Sequence, residues 1–198
     1  MRTNKGGGAV GRTRVLAVWV LMAALGCATA LGCATAPPVN YYTLDMSRHM
    51  PESQHPEIVV EDIEPADSVS PDELIVRAPT GEVRRMRGHV WAACPAELVR
   101  EKLQTEFGAT ETGDPAFNMA GTLLVFEQYG VGPDMQGRVR MELVVRAWDE
   151  AEDGEVVLKQ TYEASTSPAS PRPGDVARAL SRGVEAIARR VAEDVAEL

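Results

Sequence analysis

RVRMELVVRAWDE, Arg138 to Glu150, sets Val139, Met141, Leu143, Val145 and Ala147 on one side of an extended chain and Arg138, Arg140, Glu142 and Arg146 on the other. A period of two predicts a strand with one face on a core and one in water. Val144 and Trp148 interrupt the polar side. Upstream, FNMAGTLLVFEQYGV (Phe117 to Val131) reads as a long strand, and GPDMQG turns the chain. Downstream, EDGE with Asp153-Gly154 is a hairpin turn, and VVLKQTYEAS (Val156 to Ser165) returns antiparallel. A three-strand meander with one apolar face needs a cover. The C-terminus supplies it. After the linker SPASPRPG, residues Val176, Leu180, Val184, Ile187, Val191, Val195 and Leu198 recur at helical spacing, with Gly174 or Asp175 as the cap.

The N-terminal half holds a second helix, PAELVREKLQTEF (Pro95 to Phe107). Pro95 suits its first turn, Leu98, Leu103 and Phe107 form a stripe beside Val99, and Gly108 ends it. Three strands and a hairpin partner precede it. YYTLD (Tyr41 to Asp45) is the first strand, and a loop with Pro51 and Pro56 follows. IVVEDI (Ile58 to Ile63) is stopped by Pro65. ELIVRA (Glu73 to Ala78) pairs with EVRRMR (Glu82 to Arg87) across Pro79-Thr80-Gly81. The expected fold is α+β: a mainly antiparallel sheet with two helices packed on one face.

The start of the chain has another character. Arg2, Lys5, Arg12 and Arg14 lead into the apolar run VLAVWVLMAAL (Val15 to Leu25), and ALGCATALGCATA (Ala24 to Ala36) follows. A charged region, an apolar run and small residues at a processing site describe a secretory signal, and a cysteine at the cleavage point makes it a lipoprotein signal. The duplicated ALGCAT offers two anchors. Run length favours Cys27; Cys33 lies at a distance from Arg14 near the lower limit of a spanning helix. Neither has Leu three positions before it. The competing readings are an ordinary signal or a membrane anchor. The expected organisation is a signal over residues 1–26 (to 32 if Cys33 is the anchor), an anchor and tether over 27–40, and one domain over 41–198. Ala28 or Ala34 follows the cysteine instead of Asp, and in lipoproteins of this kind that implies the outer membrane. Two or more acyl chains hold such an anchor stably.

Composition narrows the function. Four of the 20 Lys and Arg lie in the signal, leaving 16 against 29 Asp and Glu, a net charge of −13. Nucleic-acid binding rewards clustered Lys and Arg, so this balance argues against it. Cys94 is the third cysteine and stands alone once Cys27 and Cys33 are assigned to the anchor region, so no structural disulfide is expected. His49 and His55, with Glu52 and Glu57, could suggest a metal; without a further His or Cys cluster, solvated loop histidines are the expectation. Ser68 and Ser70 lie in a turn outside any Gly-x-Ser-x-Gly elbow. Cys94, five residues after His89, is a weak nucleophile candidate. There is no Gly-rich phosphate loop. The chain is expected to be no enzyme and to need no cofactor.

A set of segments in order points further: the Gly-Cys anchor, PPVNYYTLD, IVVEDIEPADSVSPDELIVR, and VWAACPAELVREKLQTEF with its Trp-Ala-x-x-Pro entry to a helix. This resembles the ABC-type transport auxiliary lipoprotein family, the PqiC-like lipoproteins that accompany MCE lipid-transport systems. The resemblance spans Tyr41 to Leu198 and rests on Tyr41-Tyr42-Thr43-Leu44 and on Trp91-Ala92 with Pro95. The spacing from Cys33 to the Tyr pair is typical of the family, which favours Cys33 against the run-length argument. Two departures bear on the partner surface. Ala66-Asp67-Ser68-Val69 replaces a Tyr-Leu pair in the turn, and Cys94-Pro95-Ala96 lacks the usual Leu.

The resemblance implies an auxiliary subunit at the outer membrane, partnered by a periplasmic MCE protein and through it by an ABC transporter, with a homo-oligomer as a further expectation. Partner or lipid contacts are expected among Tyr41, Tyr42, Trp91, Phe126, Tyr129 and Met135. Each has a plainer reading. The Tyr pair belongs to an amphipathic strand, Trp91 plugs the core, and the turn near Phe126, Tyr129 and Met135 covers its edge. The competing functions are an outer-membrane assembly lipoprotein (pilotin-like or LPS-assembly-like) and a periplasmic hydrolase.

Overall fold

The computed structural model describes residues 38–51, 57–108, 115–148 and 154–198. Cys27, Cys33, the signal, most of the tether and His55 lie outside them. The element order is β1 (Asn40–Tyr42), β2 (Ile58–Pro65), β3 (Glu73–Arg77), β4 (Val83–Trp91), α1 (Pro95–Phe107), β5 (Phe117–Tyr129), a 3-10 turn (Gly132–Asp134), β6 (Gln136–Ala147), β7 (Val156–Thr166) and α2 (Pro173–Ala196).

The fold is α+β with two helices, as expected, and its seven-stranded sheet is mixed: the long pairings are antiparallel, but the sheet is not purely so. The order is β1-β4-β3-β5-β6-β7, with β2 also beside β5. The meander β5-β6-β7 and the hairpin β3-β4 are antiparallel as expected. The pairs β1-β4, β2-β5 and β3-β5 are parallel. Alternation identifies a strand but carries nothing about the direction of a neighbour far away in sequence, and the helical connection through α1 is long enough to bring β5 back parallel to β3. β5 holds two strands end to end on one edge. Ile58–Pro65 pairs with its first half, and Val76 and Arg77 pair with Gln128 and Tyr129.

Bulges explain why β2 and β5 do not alternate strictly. In β2 the register shifts between Val60 and Ile63, so Ile58, Val60 and Ile63 are all buried. In β5 it shifts between Leu123 and Val125, and Leu123 and Phe126 both reach the core, opposite Met141 and Val139. One extra residue returns the apolar set to the same face.

Both helices cover this face. Leu98, Val99, Leu103 and Phe107 of α1, and Val176, Leu180, Val184, Ile187, Val191 and Val195 of α2, are buried against Met119, Leu123, Val139, Met141, Leu143 and Val145. Leu198 lies past the helix and is 65% exposed, outside the stripe to which its spacing assigned it. α2 presses closely on β6: a Cβ built on Gly183 would stand 2.9 Å from Val139 Cγ2. The cap of α2 also differs from expectation. Arg172 is the N-cap, Pro173 opens the helix, and Asp175 sits in the first turn, where Ser170 and Arg178 donate to its carboxylate. At the β3-β4 turn, Gly81 takes φ +88°, a conformation that side chains with a Cβ rarely adopt. β1 ends at Tyr42 instead of Asp45, because the Asp45 amide turns to α2 and donates to Ser181 Oγ at 2.8 Å.

Candidate functional site

Three places in the domain gather chemistry. The first is under the strap, residues 43–51, which runs from β1 across both helices. Leu44 and Met50 are its buried anchors. Lys102 of α1 is wholly buried and donates to Ser47 O at 2.6 Å and to Glu106 at 2.7 Å, and it lies 3.1 Å from Glu185 of α2. The backbone amides of His49 and Met50 donate to Glu106 at 3.0 and 2.8 Å. Burial pushes the Glu106 carboxyl up, but the Lys102 hydrogen bond and these two amides more than offset it. Its pKa therefore lies below the ordinary carboxylate value. His49 Nδ1 is 3.3 Å from Glu185 and 3.5 Å from Glu106.

His49 is a loop histidine whose side chain stays 47% exposed, and its ring also stands against the carboxylates of Glu106 and Glu185. The donor set His49, Glu106 and Glu185 has the spacing of a cation site. An ammonium already stands there: Lys102 supplies the positive charge between the carboxylates, and the cluster ties strap to helices. The i,i+4 spacing of Lys102 and Glu106 was visible in the sequence. Their burial depends on Glu185 and the strap, which only the fold brings together.

The second place is the stretch of expected contact residues, which the structure separates. Tyr41 is 71% exposed on the edge strand β1. Tyr42 is half-buried, and its hydroxyl is 2.9 Å from His89 Nδ1. Trp91 and Phe126 are buried and pack ring against ring at 5.1 Å between centroids, so both serve the core. Met135 is buried too. Tyr129 is half-buried on the opposite sheet face, with the Arg138 guanidinium 4.5 Å from its ring centre. Cys94 is half-buried at the N-cap of α1 and makes no side-chain cap bond.

The third place is a cavity of about 520 Å³ where the β3-β4 hairpin, the β5-β6 turn and the linker before α2 meet. Val76, Ala78, Met86, Val131, Met135 and Pro171 give it an apolar wall, and Glu82, Arg84 and Arg85 stand at its mouth. Gln128, 6% exposed, is also in the wall. Its Nε2 donates to Gly130 O at 3.1 Å, and its Oε1 has no partner. Sequence reasoning missed this cavity because its residues come from three segments far apart in the chain. The arrangement can hold an apolar body with a polar group at the mouth; the described residues around it supply no paired nucleophile and base.

Comparisons with known proteins agree with this fold. No curated protein matches the chain. A crystal structure of protein XCC0632 from Xanthomonas campestris superposes with a TM-score of 0.64 at 14% identity, covering 80% of this chain and 98% of that one. A second crystal structure, of an uncharacterised protein, gives 0.61 at 12% identity, covering 80% and 99%. A putative lipoprotein from Caulobacter crescentus CB15 gives 0.39 at 14% identity, covering 73% and 91%. At such identities the two stronger matches speak to the fold alone. The family model described as the ABC-type transport auxiliary lipoprotein component matches residues 42–192, nearly the whole of the domain. This chain therefore belongs to the ABC-type transport auxiliary lipoprotein family.

Proposed function

We propose that this protein is the outer-membrane lipoprotein of an MCE-type lipid-transport system. It is anchored through Cys27 or Cys33 and docks the periplasmic MCE protein, which connects it to an ABC transporter. The family match over residues 42–192 carries the reading, since an auxiliary transport lipoprotein works through partners. The Gly-Cys sites after the apolar run supply the attachment. Trp91, Phe126 and Met135 build the core that presents the surface, which leaves Tyr41, Tyr42 and Tyr129 as the contact candidates. The energy source lies in the partner complex.

Labelling cells with a clickable fatty acid, followed by gradient separation of the two membranes, tests the anchoring. The full chain should carry label in the outer-membrane fraction, and either Cys27→Ser or Cys33→Ser alone should abolish it. Label persisting in the double variant, or confined to the inner membrane, contradicts the proposal.

A further inference from the structure

We infer that the cavity between the β3-β4 hairpin and the β5-β6 turn is a binding site for one phospholipid, with an acyl chain in the cavity and the phosphate at its mouth. The assignment deepens the transport reading above and rests on it for the anchoring of the chain.

Four observations carry the inference. The cavity, at about 520 Å³, is of ligand size, and its wall is aliphatic and thioether. Val131, part of the wall, is 62% exposed, so the apolar surface continues outward. The mouth is basic in an acidic chain. Arg84 and Arg85 line it beside Glu82, in a mature sequence with 29 acidic side chains. Arg84 pairs with Glu82 and Arg85 with Glu73, at 2.9 and 3.4 Å, through largely exposed arginines. Such exposed pairs are weak, and a phosphate offers a guanidinium better geometry than they do. Finally, Gln128 Oε1 is an acceptor without a donor in the wall. A buried polar group left unpaired asks for an explanation, and a ligand hydroxyl or amide supplies one.

The chemistry of the lining makes a phospholipid the occupant. The aliphatic wall suits an acyl chain, and the guanidinium groups of Arg84 and Arg85 suit a phosphate. Arginines near a membrane surface are favoured by its anionic headgroups.

The test uses the full chain in living cells, with the photo-crosslinking residue p-benzoylphenylalanine placed at Met86, at Val131, or at Glu142 on the opposite sheet face. After irradiation, the purified protein is weighed by mass spectrometry. A phospholipid adduct is expected at Met86 and Val131, with none at Glu142. It should be lost when Arg84→Glu and Arg85→Glu are added, both exposed positions whose replacement leaves the core intact. Absence of a lipid adduct at both cavity positions, equal adducts at Glu142, or a protein adduct in place of lipid overturns the assignment. If the cysteine is labelled and the MCE protein co-purifies while no adduct forms, the cavity assignment falls and the transport reading stands.

Discussion

Lys102 shows how one side chain can organise a surface that its own sequence neighbours do not reveal. It is fully buried beside Glu106 and Glu185, and it also holds Ser47 O. Lys102→Met keeps its bulk and leaves two buried carboxylates without their cation. The expected loss is about 3–5 kcal/mol, a fall in Tm on the order of 10 °C for a domain of this size, read by thermal melting. The Glu106 carboxyl gives a pH dependence of fixed sign. Its folded pKa lies below the ordinary value of 4.5, so its stabilisation is present above that value and is lost as pH falls through the folded one. Denaturant midpoints should fall in acid, and Glu106→Gln, already weakened at neutral pH, should show less of that fall. The residue scale is also where the sequence was least legible. An i,i+4 Lys-Glu pair on a helix is ordinarily a solvated one, and a Tyr, Trp or Met near a turn looks alike whether it faces a partner or the core. Burial decided between them, placing Trp91, Phe126 and Met135 inside and Tyr41 outside.

Elements were more legible, because periodicity is a local property. The strand over Arg138 to Glu150, the helix Pro95–Phe107 and the apolar stripe of the last helix all stand where the spacing put them, with ends shifted by a few residues. Strand direction and the bulges of β2 and β5 depend on distant neighbours and were not legible. Leu180 and Ile187 of α2 are about 1% and 0% exposed. Leu180→Asp or Ile187→Asp should unfold the domain, since an unpaired buried carboxylate costs several kcal/mol of a total of about 5–15. Gly183→Val probes the same contact with no charge. Its Cβ would press on Val139 Cγ2, and overpacking of this kind costs about 1–3 kcal/mol. Unchanged melting in all three would mean that α2 is not packed on β6. The same helix reaches β7: Arg190 donates to Glu163 O, and Arg182 donates to Ser167 O at 2.9 Å just past the strand's end. Side chains that occupy the carbonyls of an edge strand discourage pairing with another chain.

At the scale of the whole molecule, the domain keeps its helices and strap on one sheet face and its apolar cavity where the β3-β4 hairpin meets the β5-β6 turn. The family was legible from the order of short segments behind a Gly-Cys site, and the model match over residues 42–192 bears it out. The partner surface was not, because an interface is made by residues that share no sequence signature. The central claim is that this lipoprotein works as the docking subunit of an MCE lipid-transport complex. The direct measurement is cross-linked affinity capture of the full-length protein from cell envelopes, with the partners identified by mass spectrometry and Tyr41→Asp and Tyr129→Asp run beside the wild type. The account predicts that an MCE-domain protein and its ABC ATPase and permease co-purify with the wild type, and that at least one of the two variants loses them while its melting temperature is unchanged. Recovery of an outer-membrane assembly machine in their place, or of no MCE protein from envelopes in which one is present, would contradict it.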